Sequence, residues 1–483
     1  MQYSEKTEKP EFSVAIPASL NRDVNTHLLK QAGKEDVAFA LYKPSLGASR
    51  FTSLVHKIIF PLEGERIIGS IGVEIKPEYF KRVCKIAMEE KSGVILMHSH
   101  LGPGWQGMSA PDFLTERQYS SPSFSLTEMP FVGLTLGTDG TWSARIWEYN
   151  NEWYERKSAS AVRVVGKSMN VYFNDNLRIK PEFKEIYKRT VTVWGKKNHE
   201  TLARLKVGIV GLGSVGSMVA EMLARMGVER VVLMDFDEVQ IHNLDRLLGA
   251  TVRDIGHLKI QVAERQYMKS STATRCEIRL VPHGVTEKEG YLEALDCDVI
   301  FSCVDRPWPR HVLNHLAYNH LIPVIDGGIR IKFLEGTEEF AGADWQLQTV
   351  SPERICLSCL GVYQPADAQT EQAGLLEDPT YLAGLPKDSH FKNNENVFPF
   401  SNNLASLEVL QFIELVTSIG NDGATEPQRY SYNEGYIRLL GDKQCMDECL
   451  FKEGVAMGDS LFPRPTGFDH AATKARERQD KLI

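Results

Sequence analysis

Apolar and polar positions in the first third of the chain fall into short alternating runs. Residues 37–41, 94–97 and 131–136 are apolar enough for buried strands. Residues 20–33 and 77–90 space their apolar positions three and four apart, which predicts helices. Strands and helices mixed in this way predict an α+β domain. Past Lys206 the pattern changes: VGIVG is followed by GLGSVG, then by an apolar stripe at Val215, Met218, Val219, Met222 and Leu223, then by a second buried run ending in Asp235. Strand, glycine turn, amphipathic helix and strand in that order predict an α/β, doubly wound, mostly parallel sheet. The expected division is a first domain over 1–155, a helical connector over 156–205 (KPEFKEIYKR, KKNHETLARL), a second domain over 206–450 and an extended, charged tail over 451–483.

Composition narrows the setting. With 483 residues and a net charge of −8, the chain is too long for one core and has no basic runs to suggest nucleic acid or an acidic membrane as a partner. No apolar leader or membrane span is visible, so a cytoplasmic protein is expected, and its eight cysteines read as core residues, ligands or nucleophiles rather than disulfides.

Gly211, Gly213 and Gly216 stand where a phosphate-binding turn needs them, after a buried strand and at a helix start. Asp235 follows Gly216 by nineteen residues, near the spacing at which a carboxylate binds a ribose hydroxyl. A nicotinamide or flavin enzyme would show the same fingerprint. Four cysteines form short pairs, Cys356 with Cys359 and Cys445 with Cys449, which suggests a structural zinc site; ordinary buried thiols are the alternative. Cys84, Cys276, Cys297 and Cys303 lie in apolar patterns and are expected in the core.

The stretch LMDFDEVQIHNLDRLLGATVRDIGHLKIQVAERQ, with FSCVDRPWPRHVLNHLA downstream and YKRTVTVWG upstream, resembles the ThiF, MoeB and ubiquitin-activating superfamily over roughly residues 185–440. The resemblance implies a ThiF-like, Rossmann-type domain that adenylates a carboxylate with ATP and Mg²⁺. It implies that Asp235 holds the ribose, that Asp237 and Asn243 complete the ATP site, and that Asp305 holds Mg²⁺. Arg246, Lys259 and Arg189 would offset phosphate charge, Arg189 from the second subunit of a homodimer. Relatives that form a thioester place a cysteine in the loop here spanning 361–400, which has none. Either one of the eight cysteines elsewhere in the chain serves, or the adenylate passes directly to a thiol on a separate conjugating protein or to a sulfur donor.

In the first domain, MHSHLGPGWQGMSAPDF places His98, His100, Ser109 and Asp112 within fifteen residues, and two histidines one residue apart at a strand end can face the same side. This resembles the JAMM (MPN) metalloprotease motif. The resemblance implies zinc on His98, His100 and Asp112, Ser109 beside the oxyanion, and a glutamate base, Glu35 in GKEDVAFALY or, as the weaker candidate, Glu74. The eight-residue spacer between His100 and Ser109 is one longer than the commonest form. The fused halves resemble bacterial ubiquitin-like conjugation modules, for which antiviral defence is an expected setting. They imply activation and cleavage of one ubiquitin-like protein ending in glycine. Activation of a sulfur carrier for biosynthesis, or an inactive JAMM domain serving as a recruitment scaffold, are the alternatives.

Overall fold

The computed structural model describes residues 11–31, 33–69, 72–150, 152–334, 337, 339–378, 396–420, 426–441, 443–462 and 464–480. Contacts divide the chain into two compact units. One runs to Ile179 and takes in Asn319–Leu321 and Gly454–Pro463; the other holds Lys180–Tyr318, Ile322–Glu453 and the chain from Arg464 on.

The first unit is built on a nine-stranded mixed sheet. Its chain order is β1 (Glu11–Pro17), α1 (Ala18–Leu28), β2 (Val37–Leu46), β3 (Arg50–Ile59), the small hairpin β4 (Arg66–Ile68) and β5 (Val73–Ile75), α2 (Pro77–Glu89), β6 (Gly93–Ser99), α3 (Ala110–Thr127), β7 (Phe131–Leu136), β8 (Trp142–Tyr149), β9 (Tyr154–Ser158), β10 (Ala161–Val165) and β11 (Met169–Phe173). Across the sheet the order is β11, β10, β1, β3, β2, β6, β7, β8, β9. The central strands are buried on both faces, so their two-residue period sorts side chains into two cores. Ala38, Ala40, Ile95, Met97, Val132 and Leu134 face the core closed by Val24 and Leu28 of α1. Val37, Phe39, Val94, Leu96 and Phe131 face the opposite core, closed by Tyr79, Phe80 and Val83 of α2.

Two boundaries differ from the expectation. Residues 154–173 form β9, β10 and β11 of the first sheet, not a helical connector. The charged stretches that suggested a connector, KPEFKEIYKR and KKNHETLARL, begin only at Lys180, whereas Ala161, Val162, Arg163, Val164 and Val165 are all buried in a strand. The helical part of the connector begins later, with α4 (Lys188–Trp194) and α5 (Lys196–Arg204), and belongs to the second unit.

The second unit follows with β12 (Lys206–Val210), α6 (Ser214–Met226), β13 (Arg230–Met234), α7 (Lys259–Ser270), β14 (Glu277–Val281), α8 (Lys288–Leu295), β15 (Val299–Ser302), α9 (Pro307–Asn319), β16 (Val324–Phe333) and β17 (Phe340–Val350). Then come α10 (Leu357–Leu360), α11 (Pro365–Gln372), α12 (Phe398–Thr417), β18 (Gln428–Ser431), β19 (Tyr436–Leu439), α13 (Leu450–Glu453) and α14 (His470–Asp480). The sheet order is β14, β13, β12, β15, β16, β17, β18, β19. The first five strands pair in parallel and the last three join antiparallel, so the expected doubly wound sheet carries an antiparallel extension. From β12 the chain winds outward to β13 and β14, then returns to β15 on the other side. That reversal puts the topological switch point, where open α/β sheets form a ligand crevice, at the carboxyl ends of β12 and β15. No helix among the described residues is long and apolar enough to cross a membrane.

Candidate active sites

The glycine turn lies at the crevice, and two of its glycines are required by contact. Gly211 has φ +89°, and a Cβ there would lie 2.5 Å from the Cys303 carbonyl oxygen; a Cβ at Gly216 would run into the carbonyl oxygen of Gly211. Gly213 has open space around it, so its backbone is the part of the turn free to meet a ligand. Asp235, at the end of β13, accepts from Leu212 N–H at 2.6 Å and Asp237 N–H at 2.8 Å. The carboxylate expected at a ribose thus also ties the glycine turn to the next strand. Burial and neighbouring Asp237 raise its pKa, against the pull of Lys259.

Lys259, at the first position of α7, bonds Asp237 at 2.8 Å. Burial alone would lower its pKa, but Asp235, Asp237 and Asp305 outweigh burial and raise it. Four predicted residues from three loops therefore share one electrostatic neighbourhood. Arg246 instead bonds the His242 carbonyl and, at 2.9 Å, Asp245. Asn243 caps its own short turn, its side-chain oxygen accepting from Gln240 N–H at 2.9 Å. Arg189 is exposed on α4.

The sequence did not single out the charges behind Asp305. Arg306 pairs with Glu377 at 2.5 Å and Glu371 at 3.7 Å. Glu371 accepts from Trp308 N–H at 2.8 Å, and burial pushes its pKa up to about 7. Deeper in, Asp326 is held by Ser302 at 2.6 Å, Gln348 at 2.6 Å and Arg310 at 3.2 Å. Burial, with Asp326 alongside, raises Glu408 far above the carboxylate range. Nothing in an apolar strand pattern announces these contacts, which form only when β15, β16, β17 and α12 meet.

The segment expected to be an extended tail ends in α14. His470 lies against Gly374, Lys474 bonds the Glu377 carbonyl at 2.5 Å, Arg476 pairs with Glu287 at 2.6 Å, and Gln479 donates to the Phe236 carbonyl at 3.2 Å. Phe236 directly follows Asp235, so α14 borders the crevice. Of the cysteine-free 361–400 loop, residues 379–395 lie outside the described residues.

Cys356, Cys359, Cys445 and Cys449 converge with all four sulfurs within 4.8 Å of one another. Zn–S arms of 2.3 Å place tetrahedral sulfurs roughly 3.8 Å apart; Cys356 and Cys449 are 3.7 Å apart. The set fits zinc. Cys84 and Cys297 are buried as expected, whereas Cys276 and Cys303 are half-buried. Burial raises the thiol pKa of Cys84 to about 11 and also raises those of Cys276 and Cys303.

In the first unit, His98 sits at the end of β6 and His100 just beyond it. Ser109 caps α3: its hydroxyl accepts from Asp112 N–H, while Asp112 accepts from Ser109 N–H. This capping box delivers the Asp112 carboxylate to the histidines. His98 Nε2 and His100 Nε2 are 3.1 Å apart, and the Asp112 oxygens lie 3.1 Å from His100 Nε2 and 3.5 Å from His98 Nε2. Metal arms of 2.0–2.1 Å set tetrahedral ligand atoms roughly 3.3 Å apart, so these three groups fit one zinc ion. The Asp112 hydrogen bond raises the pKa of His100, with the Asp112 and Glu35 charges contributing. Glu35 is half-buried just before β2 and close enough to act on His100, whereas Glu74 is 64% exposed and paired with Lys76.

Residues 187–439, more than half of the chain, match the ThiF family, and the protein belongs to that family. Ubiquitin-like modifier-activating enzyme 5 of Xenopus laevis is 28% identical over 204 residues, covering 39% of this chain and 48% of that protein. The tRNA threonylcarbamoyladenosine dehydratase 2 of Saccharomyces cerevisiae is 33% identical over 141 residues, covering 29% and 31%. The chain thus spans half or less of the length of these curated relatives. The crystal structure of E. coli MccB with ATP aligns with a TM-score of 0.42 at 16% identity, covering 56% of this chain and 74% of that one.

Proposed function

We propose that the second unit uses ATP and Mg²⁺ to adenylate the C-terminal glycine of a ubiquitin-like protein, and that the first unit cleaves the same protein with zinc. The observation that carries the reading is Lys259 bonded to Asp237 at 2.8 Å and within the influence of the Asp235 and Asp305 charges, with Asp235 itself bonded to the glycine turn at Leu212. The substrate carboxylate attacks the α-phosphorus, an O–P bond forms, and the bond to pyrophosphate breaks. Negative charge grows on phosphate oxygens, where Lys259 and the Gly213 backbone can meet it. Arg246 would leave Asp245 for the pyrophosphate, Asp305 would hold Mg²⁺, Asp235 would hold the ribose with Asp237 and Asn243 framing it, and Arg189 would serve the site of a second copy. Burial disfavours the thiolate of Cys84, Cys276 and Cys303, Cys297 is buried, and the other four cysteines are grouped as a ligand set. We therefore assign the next transfer to a thiol on a separate conjugating protein.

In the first unit, zinc on His98, His100 and Asp112 would polarise the scissile carbonyl and lower the pKa of water there. Glu35 takes the proton of the attacking water and returns it to the leaving amine. Ser109, whose hydroxyl now bonds the Asp112 carboxylate at 2.6 Å, would be the donor beside the oxyanion. The complete ligand set supports an active site over a docking-only domain.

The test is ATP–pyrophosphate exchange with candidate ubiquitin-like proteins, each with and without its terminal glycine. Exchange that needs the glycine and disappears in Asp305→Ala supports the reading. Absence of exchange with every candidate, together with nicotinamide binding, would overturn it.

A further inference from the structure

α14 lies beyond residues 187–439, the stretch that matches the family, yet it is fastened beside the nucleotide crevice. Its start is set by Asp469, which accepts from Ala472 N–H at 2.9 Å and from the Thr286 hydroxyl, while Gly467 N–H donates to the Thr286 carbonyl at 3.0 Å. Midway, Arg476 Nη2 lies 2.8 Å and 2.6 Å from the two Glu287 oxygens. Near the helix end, Gln479 Nε2 donates to the Phe236 carbonyl at 3.2 Å. Thr286 and Glu287 follow β14 and Phe236 follows β13, so α14 spans the carboxyl ends of both strands. Those two ends also touch: a Cβ on Gly284 would sit 3.3 Å from the Phe236 ring.

The sheet order says which part of a nucleotide belongs there. β13 stands between β12 and β14. With the glycine turn after β12 for phosphate and Asp235 after β13 for ribose, the base leaves the ribose on the side away from the phosphates, toward the end of β14 and α14. Gln479 therefore meets the backbone one residue beyond the ribose carboxylate. A carbonyl oxygen only accepts, so the Gln479 amide must turn its nitrogen to Phe236 and its oxygen the other way. Gln479 is half-buried, and among the described residues nothing bonds its Oε1. The helix thus offers an acceptor whose orientation the backbone fixes. Adenine carries an amino group, a donor, at the position where guanine carries a carbonyl oxygen, an acceptor. An acceptor beside that edge bonds the first and repels the second.

We propose that Gln479 is a base-specificity residue, whose Oε1 accepts from the exocyclic amino group of adenine and so selects ATP. The proposal rests on the reading of Asp235 as the ribose site. Its test is the affinity of the full-length chain, with Mg²⁺, for ATP and for purine riboside triphosphate, which lacks only that amino group. One hydrogen bond sets the expected difference: wild type should bind ATP about 2- to 10-fold more tightly than the analogue. Gln479→Ala should weaken ATP by that factor, leave the analogue unchanged and so bind the two alike. Gln479→Met, which keeps the length of the side chain and loses both polar ends, should do the same. A loss that falls equally on both nucleotides would overturn the proposal, leaving α14 a structural support and the ATP reading intact. Equal binding of the two by wild type would overturn it as well. Binding of neither nucleotide by wild type would instead remove the ATP reading itself, and the proposal with it.

Discussion

Gly213 and Gly216 look alike in sequence and differ in surroundings. Gly216→Ala forces a methyl group into the Gly211 carbonyl, and overpacking of this kind costs about 1–3 kcal/mol or more. Gly213→Ala meets open space and should leave chemical unfolding nearly unchanged while weakening ATP, because its backbone approach is what a phosphate uses. A denaturation midpoint for each variant, set beside nucleotide affinity, checks both halves. Glu371 gives a prediction in pH. Its pKa is raised from 4.5 to about 7, so the folded state binds more protons than the unfolded one between those values, and stability falls as pH rises through that window. Glu371→Gln keeps the acceptor for Trp308 and removes the titration. Its melting temperature should match wild type near pH 4.5 and exceed it above pH 7, less whatever the lost Arg306 pairing contributes. A constant difference across that range would contradict the assigned pKa. The acid is legible in the sequence, but its burial beneath Arg306 and Trp308 is not, because α11 and α9 are joined only by the fold.

Elements show the same division. α3 could be read at its start, since Ser109 three residues before Asp112 is a capping box whether or not a metal follows. α14 could not: its many charges read as a solvated tail, whereas its contacts depend on partners at Phe236, Glu287, Gly374 and Glu377. Truncation after residue 463 is therefore expected to lower the melting temperature of the second unit and weaken ATP binding, measured by calorimetry with and without nucleotide. An unchanged transition in both conditions would show that α14 supports neither.

Across the whole chain, the cysteine cluster joins the segment after β17 to the segment before α13. Such tetrathiolate sites contribute folding free energy directly. Cys359→Ser, or a strong chelator, is expected to lower the stability of the second unit by several kcal/mol, read as a lower unfolding midpoint. Cys359→Ser should leave the first unit's transition unmoved, and a chelator should move it only through any zinc held at His98, His100 and Asp112. If chelation moves only the first transition, the four cysteines are ordinary core thiols.

The sequence by itself determined what local period and spacing encode. Apolar alternation marked β2, β6 and β7; the glycine turn and its stripe marked β12, α6 and β13; short-range spacing marked His98, His100, Ser109 and Asp112 and the two cysteine pairs. These features follow from strand and helix geometry over a few residues. Only the tertiary structure decided what lies side by side from distant parts of the chain. It brought Lys259 within the influence of three carboxylates, laid Gln479 on the Phe236 carbonyl, buried Glu371, and moved residues 154–173 into the first sheet. Pairing across strands and between helices depends on register and burial, and a one-dimensional pattern carries neither.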